Sequence, residues 1–204
     1  MKLYYAPGAC SLAPHIALAE AALPYQLVRV DLRTHTLPDG TDYRTVSPLG
    51  YVPVLELDDG TRITEAAVVL QYIADRAFGT LAPAPGTMER VRLQEWLNFI
   101  ATELHKGFGP LWKPDTPETY KVSVLHTLGT RFDYVAQTLA TRPFIAGERF
   151  TIADAYLFTI LNWHHFLKVD LSRWPALTQY LERIAARPGV RTALTEEHLL
   201  KAAA

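Results

Sequence analysis

The hydrophobic rhythm of the chain changes near residue 78. Before that point, short strand-type runs alternate with helical stretches. Lys2-Leu3-Tyr4-Tyr5-Ala6 and Tyr25-Gln26-Leu27-Val28-Arg29-Val30-Asp31 read as strands, the second alternating in polarity as a half-buried strand does. Between them, residues 12–23 are rich in alanine and leucine and predict a helix that stops before Pro24. Strand, helix and strand in this order make a βαβ unit with parallel strands and a right-handed crossover. A polar stretch over residues 33–50 follows, punctuated by Pro38, Gly40, Pro48 and Gly50. Val54-Leu55-Glu56-Leu57 and Thr61-Arg62-Ile63-Thr64 then flank Asp58-Asp59-Gly60, a hairpin signal. A helix over about 65–76 completes a small mixed sheet with helices packed on it.

In Gly79-Thr80-Leu81-Ala82-Pro83-Ala84-Pro85-Gly86, four of eight residues are glycine or proline, which marks a linker. Beyond it the pattern is helical throughout, with helices expected near 88–112, 116–140, 152–167, 174–186 and 190–201. Thr151 and Asp154 carry a capping signal for the third of these. The expected division is therefore a first domain over 1–78, a linker over 79–87 and an all-helical domain over 88–204. On the first long helix, Asn98, Thr102, His105 and Lys106 fall within one sector of roughly 100°. Leu93, Trp96, Leu97, Ile100, Leu104, Phe108 and Leu111 take the opposite side.

Composition narrows the function classes. Twenty basic against twenty-one acidic residues leave a net charge of -1, which gives no basic footprint for nucleic acid. No apolar run is long enough to span a membrane, and the opening residues lack a signal-peptide pattern. The single cysteine excludes an internal disulfide framework and a cysteine-based zinc site. The seven histidines form no ligand cluster, and the adjacent pair His164-His165 would point about 100° apart on a helix, so no metal is expected. These features together point to a reducing cytoplasm.

Four features could carry chemistry. Cys10 follows the first strand in Ala6-Pro7-Gly8-Ala9-Cys10-Ser11, where a helix N-terminus would lower a thiol pKa; a lone cysteine is also commonly a small buried hydrophobe. Ser11 and Tyr5 lie close enough in sequence to donate to a bound sulfur, or to serve as cap and core. Val52-Pro53 enters a strand: either a turn proline or, if cis, a place where Val52 offers its N–H and C=O to a peptide backbone. Thr64-Glu65-Ala66 opens a helix, as an ordinary first turn or as a carboxylate site with Glu65 for an amino group. The stripe Asn98, Thr102, His105 and Lys106 is a solvated face or a site wall. It lacks the Glu/Lys alternation of a plain exposed face.

In this order the features resemble the bacterial beta-class glutathione transferases, along essentially the whole chain. The resemblance rests on residues 1–12, on Gly50-Tyr51-Val52-Pro53-Val54-Leu55, on Thr64-Glu65-Ala66, on residues 96–108 and on residues 150–156. It implies an α/β thioredoxin-like N-terminal domain plus an all-α C-terminal helical bundle. It also implies glutathione as co-substrate, small hydrophobic electrophiles as acceptors, no metal, and a homodimer. Cys10, His105, Tyr5 and Ser11 would be the catalytic set. Ala9, Cys10, His35, Tyr51, Val52, Pro53, Glu65, Ala66, Asn98, Thr102, Glu103 and Lys106 would surround glutathione, some reaching a partner subunit's site. Phe108, Trp112 and Trp163 would wall the electrophile pocket. Two departures stand out: His35 occupies a place where the family tends to carry lysine, and Ala66 lacks the hydroxyl common there. Conjugation, thiol–disulfide exchange through a Cys10–glutathione mixed disulfide, and a non-catalytic binding module are the three functions that fit.

Overall fold

The computed structural model describes residues 1–77 and 79–200. Residue 78 and residues 201–204, where the two expected domains and the last expected helix end, lie outside the described residues. Strand β1, Lys2–Tyr5, pairs in parallel with β2, Gln26–Arg29, across helix α1, Leu12–Glu20. β1 also pairs antiparallel with β3, Val54–Glu56, which turns into β4, Arg62–Ile63, giving the sheet order β2-β1-β3-β4. Helix α2, Ala66–Arg76, follows. This is the mixed sheet of a thioredoxin-like domain.

Alternation along β1 splits its side chains between two cores. Leu3 and Tyr5 join the large cluster formed with α1, α2 and the later helices. Tyr4 and Ala6 face the other way, onto Val30, Tyr43, Val52 and Val54. Tyr43 lies in the polar stretch, in a short 3-10 turn over Tyr43–Thr45 capped by the Asp42 carboxylate. α1 ends at Glu20, short of the expected Leu23, because Ala22 takes a positive φ of 50° and Leu23 N–H closes onto the Leu18 carbonyl.

Among the described residues, the elements that follow α2 are all helical. α3, Met88–Phe99, continues through a wide π-turn over Ile100–His105, the short α4, Lys106–Phe108, and a 3-10 turn over Gly109–Trp112. α5 is Glu118–Leu139, α6 Ile152–Leu161, α7 Trp163–Leu167, α8 Pro175–Ala185 and α9 Pro188–Glu196. Two expectations are corrected. The helix expected over 152–167 is two helices hinged at Asn162. The last helix begins at Pro188, whose fixed φ suits a first turn, and ends at Glu196 with His198 at a φ of 57°.

α1 packs against α2, α6 and α9, so one apolar cluster runs through both halves. The segment after α2 is itself packed: Leu81 and Ala82 are buried, and the Leu81 carbonyl accepts the Ile152 N–H at 3.0 Å. Thr151 and Asp154 form the reciprocal capping box that opens α6. Among the described residues, no helix is long and apolar enough to cross a membrane.

Candidate functional site

Cys10 stands on the turn between β1 and α1, and its Sγ donates to the Val52 carbonyl at 3.1 Å. The Val52–Pro53 bond is cis, and no described residue accepts from the Val52 N–H. Expectation and structure part over the thiol itself. Burial pushes the Cys10 pKa up to about 12, outweighing the backbone N–H groups of the helix start that act to lower it. Glu65 raises it further and Lys106 lowers it. Cys10 is therefore a protonated donor in this state.

Ser11 and Tyr5 are not available to a sulfur. The Ser11 hydroxyl is fully buried, accepting from Ala6 N–H at 3.1 Å and donating to the Ala6 carbonyl at 3.3 Å; it staples the loop closed. Tyr5 points with Leu3 into the large core, its ring 6.2 Å from that of His15, and burial raises its pKa. The same alternation that places Tyr4 on the opposite face determines this.

The loop is pinned from the helical half. The Gly8 carbonyl accepts from Trp163 Nε1 at 2.8 Å, and the Gly8 N–H donates to Glu197 at 2.9 Å. Gly8 has a φ of 71°, and a side chain there would press on Phe166 at 3.2 Å. Glu197 also meets His15 Nδ1 at 2.9 Å, and His15 Nε2 meets Glu196 at 2.7 Å. Sequence reasoning missed these three residues, because contacts across about 180 positions leave no local pattern.

Opposite Cys10 lies the start of α2. Glu65 is exposed and holds a φ of 64°, a left-handed conformation costing on the order of 1–3 kcal/mol for a residue with a Cβ. Its carbonyl accepts from Val68 and Val69, whereas Ala66 N–H, at the first helical position, has no acceptor among the described residues. His35 also has a positive φ, 55°, and its ring packs against Gly50, where an added Cβ would lie 2.5 Å from Nδ1. That Nδ1 is buried without a partner. Tyr51 is exposed, and its backbone is held by Tyr43 and Ser47. Ala9 lies between Gly8 and Cys10, its carbonyl accepting from Leu12 N–H.

The expected polar stripe divides. Asn98, Thr102 and Lys106 are exposed, with the Thr102 hydroxyl donating to the Asn98 carbonyl. His105 leaves the stripe. The π-turn widens the helix just before it, and the ring turns inward to set Nδ1 2.7 Å from the Tyr156 hydroxyl. Glu103 faces away from Cys10's loop, paired with Arg131 on α5 at 2.7 Å. Phe108 is fully buried between Phe132 and Trp163, a core residue and not a pocket wall. Trp163 is nearly buried too, so the exposed aromatic surface beside Gly8 is Trp112 with Phe166. The His164 and His165 rings do meet, 3.8 Å between centroids. Among the described residues no cluster has metal-ligand geometry. A groove of about 600 Å³ along α9 and another of about 420 Å³ by Met1 both lie away from Cys10.

Burial, reinforced by Lys106, pushes His105 down to about 4 from its ordinary 6.5. The unfolded chain protonates this ring first as pH falls, so its contribution to stability is complete above 6.5 and is lost progressively toward 4. Denaturant unfolding should show the difference between the parent and His105→Gln shrinking across that window. A constant difference from pH 7 to pH 4 would contradict the assignment.

Comparison with known proteins shows the family of the chain. The glutathione S-transferase N-terminal domain model matches residues 8–76 and the C-terminal domain model residues 99–188. Glutathione S-transferase GstA of Escherichia coli O157:H7 is 48% identical over 200 residues, covering 98% of this chain and all of that one. A sphingomonad glutathione S-transferase solved with glutathione superposes with a TM-score of 0.94 at 42% identity, over 98% of this chain and 100% of that chain. The beta-class enzyme of Sphingomonas chungbukensis gives the same TM-score, identity and coverage. The chain belongs to the glutathione S-transferase family.

Proposed function

We propose that the chain conjugates the glutathione thiolate to small hydrophobic electrophiles, as a cytoplasmic homodimer. The observation that carries the reading is the contact of a protonated Cys10 with the Val52 carbonyl, with the Val52 N–H open and the Glu65 charge felt at the thiol beside an open Ala66 N–H. Val52 would bond the cysteinyl backbone of glutathione. Ala66 N–H would take the γ-glutamyl carboxylate and Glu65 the γ-glutamyl amino group. His35 would meet the glycyl end, with Ala9, Tyr51 and Pro53 as the surrounding wall. The glutathione sulfur would then displace the thiol's present acceptor, so that Cys10 S–H donates to a thiolate and Lys106 supplies positive charge nearby. Asn98 and Thr102, exposed one helical turn apart, would reach the tripeptide; Glu103 would act through Arg131 or at the partner's site. Trp112, backed by Trp163 and Phe108, would receive the electrophile. The reaction needs no redox partner: sulfur attacks carbon, and the leaving group departs with its electron pair.

The proposed division is a glutathione-binding domain over 1–78, a linker over 79–87 and an electrophile-binding domain over 88–204. Support for a dimer comes from Tyr134, half-exposed and stacked on Trp96 at 5.3 Å, which leaves an apolar patch across α3 and α5.

Isothermal titration with glutathione tests the reading directly, with uptake expected and its absence in folded protein overturning it. Glu65→Gln should raise the glutathione KM about tenfold or more, the consequence of losing a charged hydrogen bond of about 1.5–3 kcal/mol. An unchanged KM would remove Glu65 from the site. If glutathione binds but no aryl halide or mixed disulfide turns over, the chain is a binding module.

A further inference from the structure

Tyr156 lies on α6, 2% exposed, and received no role from the sequence. Its hydroxyl makes one hydrogen bond among the described residues, to His105 Nδ1 at 2.7 Å, with the rings at 83°. Two arrangements are possible. If Nδ1 carried the proton and donated to the phenol oxygen, the phenol proton would be buried with no acceptor, at a cost of about 1–3 kcal/mol. If the phenol donates to Nδ1, every proton in the pair is used, and only an oxygen lone pair goes unfilled. The second arrangement requires a neutral imidazole with its proton on Nε2. Burial keeps His105 neutral and Tyr156 protonated at ordinary pH, in accord with it.

The other ring nitrogen completes the case. Nε2 has no partner among the described residues, yet it is not among the buried polar atoms left without one; His35 Nδ1 alone is. Nε2 thus opens to solvent-accessible space. Trp163 packs edge-on against the ring at 5.0 Å and fixes its plane.

We propose that Tyr156 is a positioning residue that holds His105 in the Nε2–H tautomer, so that the imidazole presents one oriented donor for an anionic sulfur. This rests on the conjugation reading for its purpose but not for its geometry. No proton is transferred in the step: the Tyr156 O–H donates to Nδ1, and Nε2–H donates outward.

Nitrogen-15 spectra of histidine-labelled, glutathione-free protein near pH 7.5 test the geometry. His105, assigned by its loss in His105→Gln, should show a protonated Nε2 and an unprotonated Nδ1. Tyr156→Phe should turn this into a mixture of both tautomers. A proton on Nδ1 in the parent, or a pattern unmoved by Tyr156→Phe, overturns the proposal. Conjugation kinetics supply the second arm. Tyr156→Phe should lower kcat/KM by about tenfold, and adding it to His105→Gln should cost less than about twofold more, since the two act as a unit. Independent, multiplying losses would overturn the coupling. Parent protein that fails to bind glutathione yet shows the Nε2–H tautomer would sink the conjugation reading and leave the assignment standing.

Discussion

Replacing Cys10 by alanine should reduce thiol–disulfide exchange by at least about a hundredfold, while glutathione conjugation keeps at least roughly a tenth of its rate. Exchange needs a second sulfur to form the mixed disulfide, and this chain has one cysteine to give. Conjugation needs only the glutathione sulfur, to which Cys10 contributes a single weak S–H donor. The partly covered thiol, pushed up to about 12, would be ionised to about one part in 10⁵ at pH 7. Exchange by the parent should accordingly be slow at neutral pH and rise with pH, which places it second to conjugation. Side-by-side assays with a glutathione mixed disulfide and an aryl halide decide the matter. If both activities vanish in Cys10→Ala, the thiol does more for the bound thiolate than donate one bond.

Asp154→Ala should destabilise the protein by on the order of 4 kcal/mol, lowering Tm by about 10 °C for a chain of this size. The carboxylate is fully buried and accepts from Ile145 N–H at 2.8 Å, Thr151 N–H at 2.9 Å, the Thr151 hydroxyl at 3.0 Å and the Tyr180 hydroxyl at 3.1 Å. Alanine would leave three of these donors without an acceptor, at about 1–3 kcal/mol for each that stays buried, while the Tyr180 hydroxyl keeps the residue-154 backbone carbonyl at 3.3 Å. Burial nevertheless pushes the carboxyl up to about 6, a measure of how strongly the apolar surroundings oppose the charge these donors hold. Asp154→Asn, which keeps an oxygen, should lose less than half as much. Urea unfolding reads both variants, and a loss below about 1 kcal/mol in the alanine variant would mean that the donors find other partners.

The sheet and the start of α6 were legible because alternation, Asp-Gly punctuation and the capping pair are local signals, read over fewer than about ten residues each. Alternation along β1 even contained the answer for Tyr5, which must share a face with Leu3 and not with Tyr4. Other parts had no local signal. Nothing in Ile100-Ala101-Thr102-Glu103-Leu104-His105 announces a π-turn, and without it His105 stays on the solvated stripe with Thr102 and Lys106. Tyr156 sits in the apolar run Ala155-Tyr156-Leu157-Phe158, where period and composition say only that it is buried. The raised pKa of Cys10 follows from how deeply the turn is covered, a property of the assembled halves. Helix-dipole reasoning alone predicts the opposite direction.

Gly8 is gripped by Trp163 on one side and by Glu197 on the other, both from beyond the sheet. The cysteine-bearing turn is thus a shared part, with its backbone supplied by one end of the chain and its fasteners by the other. Grafting the first eighty or so residues onto foreign helices would carry over Cys10, His35, Val52 and Glu65, the first domain's share of the tripeptide cradle, while leaving that turn unfastened. Such a chimera should regain a competent thiol only when its new C-terminal segment brings an acceptor and an indole to the same glycine.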